Sequence, residues 1–150
     1  MDFSVSLPSP AKVNLTLAVT GRRADGFHEL RSLVARIRFG DWIKLQWDPA
    51  GCPEDDKVWF DGLALDPANN SVLAAIRSWR RVSAFAAGAF RVRVRKSIPL
   101  GAGLGGGSSN AASTLMAIRK LDLKGAGPVD WAALAAEIGS DAPLFLGDPV

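Results

Sequence analysis

The sequence predicts a single α+β domain, and three observations carry that prediction. Several stretches alternate apolar and polar residues with the period of two expected of strands, others repeat apolar residues at helical spacing, and the two kinds are mixed along the chain. The 150 residues, 48% of them hydrophobic, suffice to bury a core.

Val13, Leu15, Leu17 and Val19 alternate with Asn14, Thr16 and Ala18, which predicts a half-buried strand with Lys12 and Asn14 on its other face, within reach of a ligand. Leu33, Ala35, Ile37 and Phe39 alternate with Arg36 and Arg38. Beyond Gly40-Asp41, Ile43, Leu45 and Trp47 alternate with Lys44 and Gln46, so the pair reads as a hairpin turning at Gly40-Asp41. Residues Pro49 to Pro67 mix Gly, Pro and Asp and read as a loop with a short strand around Val58 to Phe60. Asn69 or Asn70 caps a helix bearing Val72, Leu73, Ile76, Trp79 and Val82. Phe90, Val92 and Val94 alternate with Arg91, Arg93 and Arg95 in a strand leading to a glycine run. A helix is expected from Asn110 to Leu121, and another over Trp131, Leu134, Ala135 and Ile138 with Gly139 as its C-cap. Leu123 to Pro128 is the linker-like piece between them.

The run Pro99-Leu100-Gly101-Ala102-Gly103-Leu104-Gly105-Gly106-Gly107-Ser108-Ser109 follows a strand pattern and precedes a helix pattern. Glycines at 101, 103, 105, 106 and 107 let several N–H groups turn toward one anion, and Ser108 or Ser109 is the expected N-cap of a helix whose positive end faces that anion. A flexible linker needs neither flank. Gly101-x-Gly103-x-x-Gly106 matches the dinucleotide fingerprint in form, but no strand precedes Asp122, where the ribose-binding acid would have to end one. A Walker loop is excluded because no lysine follows Gly107. The protein-kinase glycine loop lies in a strand hairpin, whereas this one opens a helix.

Composition narrows the classes further. A net charge of +3 suits anionic ligands without requiring nucleic acid. Cys52, the only cysteine, excludes an intrachain disulfide, and one histidine without Cys or His partners argues against zinc. The first residues lack a signal-peptide pattern and no window approaches eighteen apolar residues, so the expected location is cytoplasmic, with no membrane partner. Arg91, Arg93, Arg95 and Lys96 form the one basic stripe. It carries no interleaved aromatics to stack single-stranded bases, so an RNA-binding module is the minor alternative and nucleic acid is not the expected partner.

At the glycine run the chain resembles the GHMP kinase superfamily, whose phosphate loop reads Pro-x-x-x-Gly-Leu-Gly-Ser-Ser-Ala-Ala. The extra glycines and Asn110 resemble the branch acting on a cytidine diphosphate-linked methylerythritol. Pro10-Ala11-Lys12-Val13-Asn14-Leu15, followed by Gly21-Arg22-Arg23-Ala24-Asp25-Gly26-Phe27-His28-Glu29-Leu30, is similar to that branch's N-terminal signature, and Gly139-Ser140-Asp141-Ala142-Pro143-Leu144-Phe145 to a third segment. The three motifs, in order, span the chain from near its start to its end.

The resemblance implies a ribosomal protein S5 domain 2-like fold, the N-terminal domain of a GHMP kinase over residues 1–150, without the C-terminal domain and its third glycine-rich motif. The implied activity is ATP-dependent phosphorylation of the 2-hydroxyl of 4-diphosphocytidyl-2-C-methyl-D-erythritol in the non-mevalonate route to isoprenoid precursors. Alternatives are a nucleotide-binding or inert fragment and a kinase for another small alcohol. By the resemblance, Lys12 and Asp141 form the catalytic pair on the substrate hydroxyl. Asn70, Lys96 and the loop from Pro99 to Ser109 bind ATP, with Ala102 and Leu104 between its glycines. Asn14, Phe27, His28 and Asp141 bind substrate, His28 at the cytosine. Phe27 stands where the family usually has tyrosine and keeps the stacking face without the hydroxyl. From the residues alone, Asn70 reads equally as a helix cap and Lys96 as the end of a basic strand face. No carboxylate is placed at the loop, so Mg2+ is inferred only because ATP brings it.

Overall fold

In the computed structural model, which describes residues 3–22, 24, 26, 28–62, 65–66, 69–83, 87–123 and 127–147, four strands form one mixed sheet. They are β1 (Ser4–Arg22), β2 (His28–Asp48), β3 (Lys57–Asp61) and β4 (Ala89–Arg95), in the order β1-β2-β4-β3. β1 and β4 each pair antiparallel with β2, and β3 lies parallel to β4. Parallel neighbours need a crossover, supplied here by helix α1 (Ser71–Val82). Helices α2 (Gly106–Leu121) and α3 (Trp131–Ile138) follow, then a 3-10 helix over Ala142–Phe145. The architecture is α+β, as the mixed patterns predict.

The helices cover one face of the sheet. Leu7, Ile43, Leu45, Val58, Phe90, Val92 and Val94 point into the core from the strands and meet Val72, Ile76 and Trp79 of α1 and Ala111, Leu115 and Ile118 of α2. Trp79 stands edge-on to Phe90 at 5.5 Å. Beside it Arg80 makes two 2.7 Å hydrogen bonds to Asp56, whose carboxylate also accepts from the Phe90 amide at 2.7 Å. This ties the start of β3, the end of α1 and the start of β4 together. The opposite sheet face is open.

Local patterns placed β3, β4, α1 and α3 correctly, with Asn70 and Gly139 as caps. Four expectations change. First, there is no hairpin at Gly40-Asp41: β2 runs straight through it and pairs with β1 on one side and β4 on the other. The register shifts between Pro10 and Ala11, a bulge, and Gly40 lies against the β1 backbone there. Second, Leu15, Leu17 and Val19 are 60–64% exposed, because the outer half of the β1–β2 ribbon extends past the helix layer. Third, Val82 is exposed although it shares the apolar stripe of α1. Fourth, α2 begins at Gly106, four residues early, with Gly105 rather than a serine as its N-cap. Residues 124–126 of the expected linker fall outside the described residues.

Pro8 and Pro10 are tolerated because β1 is an edge strand. No helix among the described residues is long and apolar enough to cross a membrane.

At Gly40 an added Cβ would fall on the Ser9 carbonyl oxygen and crowd Pro10, both backbone. Gly40→Ala is therefore expected to cost about 2–3 kcal/mol by urea unfolding, in the range of overpacked sites. A change below about 0.5 kcal/mol would show that the bulge yields.

Candidate functional site

The glycine run forms the turn between β4 and α2. Gly101, Gly103 and Gly105 have φ of 69°, 71° and 72°, the left-handed region where a Cβ is costly. Gly105 is constrained twice, since an added Cβ would lie 2.9 Å from Lys12 Cγ and 3.1 Å from Phe145 Cζ. Gly106 has ordinary φ but packs against Ile98, and Gly107 has room, so the alternate glycines set the loop's shape. The first intrahelical bond of α2 runs from the Ser109 amide to the Gly105 carbonyl at 2.8 Å. The amides of Gly106, Gly107 and Ser108 precede it and have no intrahelical acceptor, which makes this end of α2 a seat for an anion. The start of α1 lies alongside: Ser71 Oγ is 3.7 Å from where a Gly107 Cβ would be. Asn70 caps α1, its side chain accepting from the Leu73 amide at 2.9 Å, so the two helix N-termini converge on the loop.

Lys12 reaches the same loop from β1. The bulge beside Ala11 re-aims the strand, and the Lys12 amide donates to the Leu104 carbonyl at 2.9 Å. Its side chain, only 10% exposed, runs along Gly105 and places Nζ 2.8 Å from Asn14 Oδ1 and 3.4 Å from Asp141 Oδ2. Asp141 follows the C-cap of α3 and opens the 3-10 helix whose Phe145 packs against Gly105. Ser108 joins this corner, its Oγ being 3.1 Å from the position of a Gly139 Cβ. Of the ammonium's three donors, one is hydrogen-bonded to Asn14, and Asp141 is its ionic partner rather than a hydrogen-bond acceptor.

Behind the loop lies a polar cluster. Asp41 is buried in β2 and accepts from the amides of Ser97 and Ile98 at 2.7 and 2.8 Å, from Lys96 Nζ, and from Asn110 Nδ2 at 2.8 Å. Asn110 also donates to Ser9 Oγ at 2.8 Å and accepts from Lys96 at 3.2 Å, and Ser9 is 2.9 Å from Ser109 Oγ. Lys96 is thus 3% exposed and paired inward with Asp41, beneath the loop rather than open above it. Ser109 Oγ is likewise turned into the cluster, away from any ligand over the helix end.

His28 is exposed at the outer end of the β1–β2 ribbon, opposite Arg22. Ten residues of β1 separate that rung from Lys12, a span on the order of 30 Å along an extended strand. No contact joins it to Lys12, Asp141 or the loop among the described residues. Phe27 lies outside the described residues.

The family model "GHMP kinases N terminal domain" matches residues 70–147, just over half of the chain. The chain belongs to the GHMP kinase family. Among curated relatives, a protein of Methylococcus capsulatus named 4-diphosphocytidyl-2-C-methyl-D-erythritol kinase is 37% identical over 143 residues, 95% of this chain and 48% of its own length. One of the same name from Actinobacillus pleuropneumoniae is 37% identical over 97% of this chain and 50% of its own. The chain spans about half the length of the curated relatives it matches. A crystal structure of 4-(cytidine 5'-diphospho)-2C-methyl-D-erythritol kinase superposes with a TM-score of 0.76 at 37% identity, covering 95% of this chain and 48% of that one.

Asp41, which organises this GHMP kinase domain's loop, is not among the site residues the sequence points to, because Gly40-Asp41 is turn-like in isolation. A signal existed. Asp41 shares the parity of Ile43 and Leu45, so an acid stood at a core-facing position of an unbroken alternation. Removing it strands a buried ammonium and two amides. Asp41→Ala is expected to cost about 3–5 kcal/mol in urea unfolding, as for one partner lost from a buried pair, and Asp41→Ala combined with Lys96→Met less than Asp41→Ala alone. Equal losses would mean that Lys96 is not held by Asp41.

Proposed function

We propose that residues 1–150 form the N-terminal, ATP-binding domain of a kinase that phosphorylates the 2-hydroxyl of 4-diphosphocytidyl-2-C-methyl-D-erythritol. The observation that carries this reading is the Lys12–Asp141 pair, 3.4 Å apart beside the open end of α2. Phosphoryl transfer needs a cradle for the phosphates, a cation for developing charge and a group to take the acceptor's proton. The amides of Gly106, Gly107 and Ser108 fit the first need. Lys12 Nζ fits the second and Asp141 the third. The substrate's identity rests on the two relatives' names and on the cytidine diphosphate compound in the matched crystal structure's description.

In this reading the substrate hydroxyl lies between Lys12 and Asp141. Asp141 accepts the hydroxyl proton as the oxygen attacks the γ-phosphorus of ATP, the bond to the β–γ bridging oxygen breaks, and ADP leaves. Lys12 holds the attacking oxygen in line, and Asn14 holds Lys12. Magnesium would arrive on the nucleotide, whose phosphate charge it partly neutralises. Asn70 is placed by its cap beside the loop, which suits an adenine or ribose contact. Lys96 acts through Asp41 and Asn110 by fixing the loop's floor. A cytoplasmic location fits an ATP-consuming biosynthetic step. For His28 to meet the cytosine, the outer β1–β2 ribbon must fold toward the loop or the substrate must lie along it.

The relatives are about twice as long, and the apolar side chains of Leu15, Leu17, Val19 and Leu33 stand exposed on the ribbon. Both facts support a site completed by a second half, with water excluded only then. By calorimetry the 150-residue chain is expected to bind ATP and the cytidine substrate but to turn over little. Binding of neither would favour an inert fragment, and rapid turnover would remove the need for a second half. In a full-length form, Lys12→Ala and Asp141→Asn are each expected to lower kcat by about 10²–10⁴ with KM changed less than tenfold. Normal turnover by either variant would refute that residue's role, and turnover of homoserine or mevalonate instead would refute the substrate.

A further inference from the structure

We propose that the open face of the sheet is a second nucleotide site, where a base stacks on Trp59 and its phosphate is held by Arg93, Lys44 and Arg91. Strand pairing builds the site. Lys44, Arg93 and Trp59 form one rung across β2, β4 and β3, and Gln46, Arg91 and Lys57 form the next. Neighbouring strands lie about 4.8 Å apart, so cation and ring are adjacent. Within β4 the one aromatic, Phe90, points into the core and not along the arginine face, but β3 brings Trp59 beside the stripe and β2 brings Trp42. The absence of a stacking platform expected from the sequence is thereby corrected.

Three observations set this face apart from an ordinary solvated strand surface. Lys44, Gln46, Trp59, Arg91 and Arg93 enclose a concavity of about 320 Å³, at the lower end of small-molecule sites. Trp59 is 44% exposed and has no ring partner among the described residues. Cations outnumber carboxylates: Lys44, Lys57, Arg91, Arg93 and Arg95 line this face with Asp48 and Asp61, and the exposed Asp55 carboxylate lies near Lys57 and Arg91. Asp48 lies 3.1 Å from Arg91 Nη2 and Asp61 3.7 Å from Arg93 Nε, which leaves most N–H donors of both guanidinium groups unused. Lys44 has no carboxylate partner among the described residues. An indole face flanked by spare guanidinium and ammonium donors matches a base joined to a phosphate, and the Gln46 amide offers a donor and an acceptor to the base edge. The face points away from the helix layer that bears the glycine loop, so it is separate from the proposed kinase site.

The test is residue-resolved NMR of the 15N-labelled chain at low salt, titrated with CMP, with the RNA tetranucleotide UUUU and with inorganic phosphate. CMP is expected to shift the Trp59 indole N–H and the amides of 44, 46, 91 and 93 saturably, and phosphate to bind at least fivefold more weakly. Lys44→Glu combined with Arg93→Glu should weaken CMP binding at least tenfold, and Trp59→Ala at least fivefold, with the melting temperature and the ATP response of amides 101–108 unchanged. Tighter binding of UUUU than of CMP supports the site and makes a single strand its occupant; equal binding supports it with a free nucleotide. No shift on this face, or shifts indifferent to Trp59→Ala, would overturn the proposal whatever the glycine loop does.

Discussion

The Asp41 carboxylate is the constraint on which the rest of the site depends. It lies in the middle of β2 with no solvent, and its two oxygens take four donors: two amides just before the glycine run, the Lys96 ammonium and the Asn110 amide. One side chain thereby fixes the end of β4, the approach to the loop and, through Asn110, the N-terminal part of α2. Through Asn110, Ser9 and Ser109 the same cluster reaches β1. Taking a charge out of water is costly unless every lone pair finds a donor, and here the donors come from segments far apart in sequence. The network forms only when β1, β2, the loop and α2 are all in place.

What this rigid floor supports is a short list of groups above it. The αL glycines curve the loop so that the amides at the start of α2 stay free. The bulge in β1 turns Lys12 onto Gly105, where no larger residue fits, and α3 with the following 3-10 helix delivers Asp141 to the same point. Each piece is separately costly: left-handed backbone, a nearly buried ammonium, a strand irregularity. Such concentrations of cost are where function is expected. The outer ribbon is different in kind, being long, two-stranded and apolar on an uncovered face.

What the sequence revealed follows the range of the forces involved. The glycine turn before α2, the Asn70 cap, the Gly139 C-cap and strands β3 and β4 are legible because their signals are local: glycine crowding, capping chemistry, alternation. Gly40-Asp41 is turn-like in isolation and so predicts a hairpin that does not form, because the close approach of β1 and the buried carboxylate override it. The alternation of Val13 to Val19 was real but its expected burial was not, since alternation reports a strand and not what covers it. Lys12, Asn14 and Asp141 were legible as a group only through a family resemblance. Their proximity depends on a bulge and on packing between elements some 130 residues apart in sequence. Trp59 beside the arginine stripe belongs to the same class of long-range facts.

A crystal structure of the chain with a non-hydrolysable ATP analogue tests most directly whether the N-terminal end of α2 seats the phosphates. The expected result places phosphate oxygens within hydrogen-bond distance of the Gly106, Gly107 and Ser108 amides, the terminal phosphate next to Lys12 Nζ, and Asp41 still bound to Lys96 and Asn110. An analogue bound elsewhere, or a loop that abandons the Asp41 contacts to receive it, would show that Asp41 does not hold this loop ready for a nucleotide.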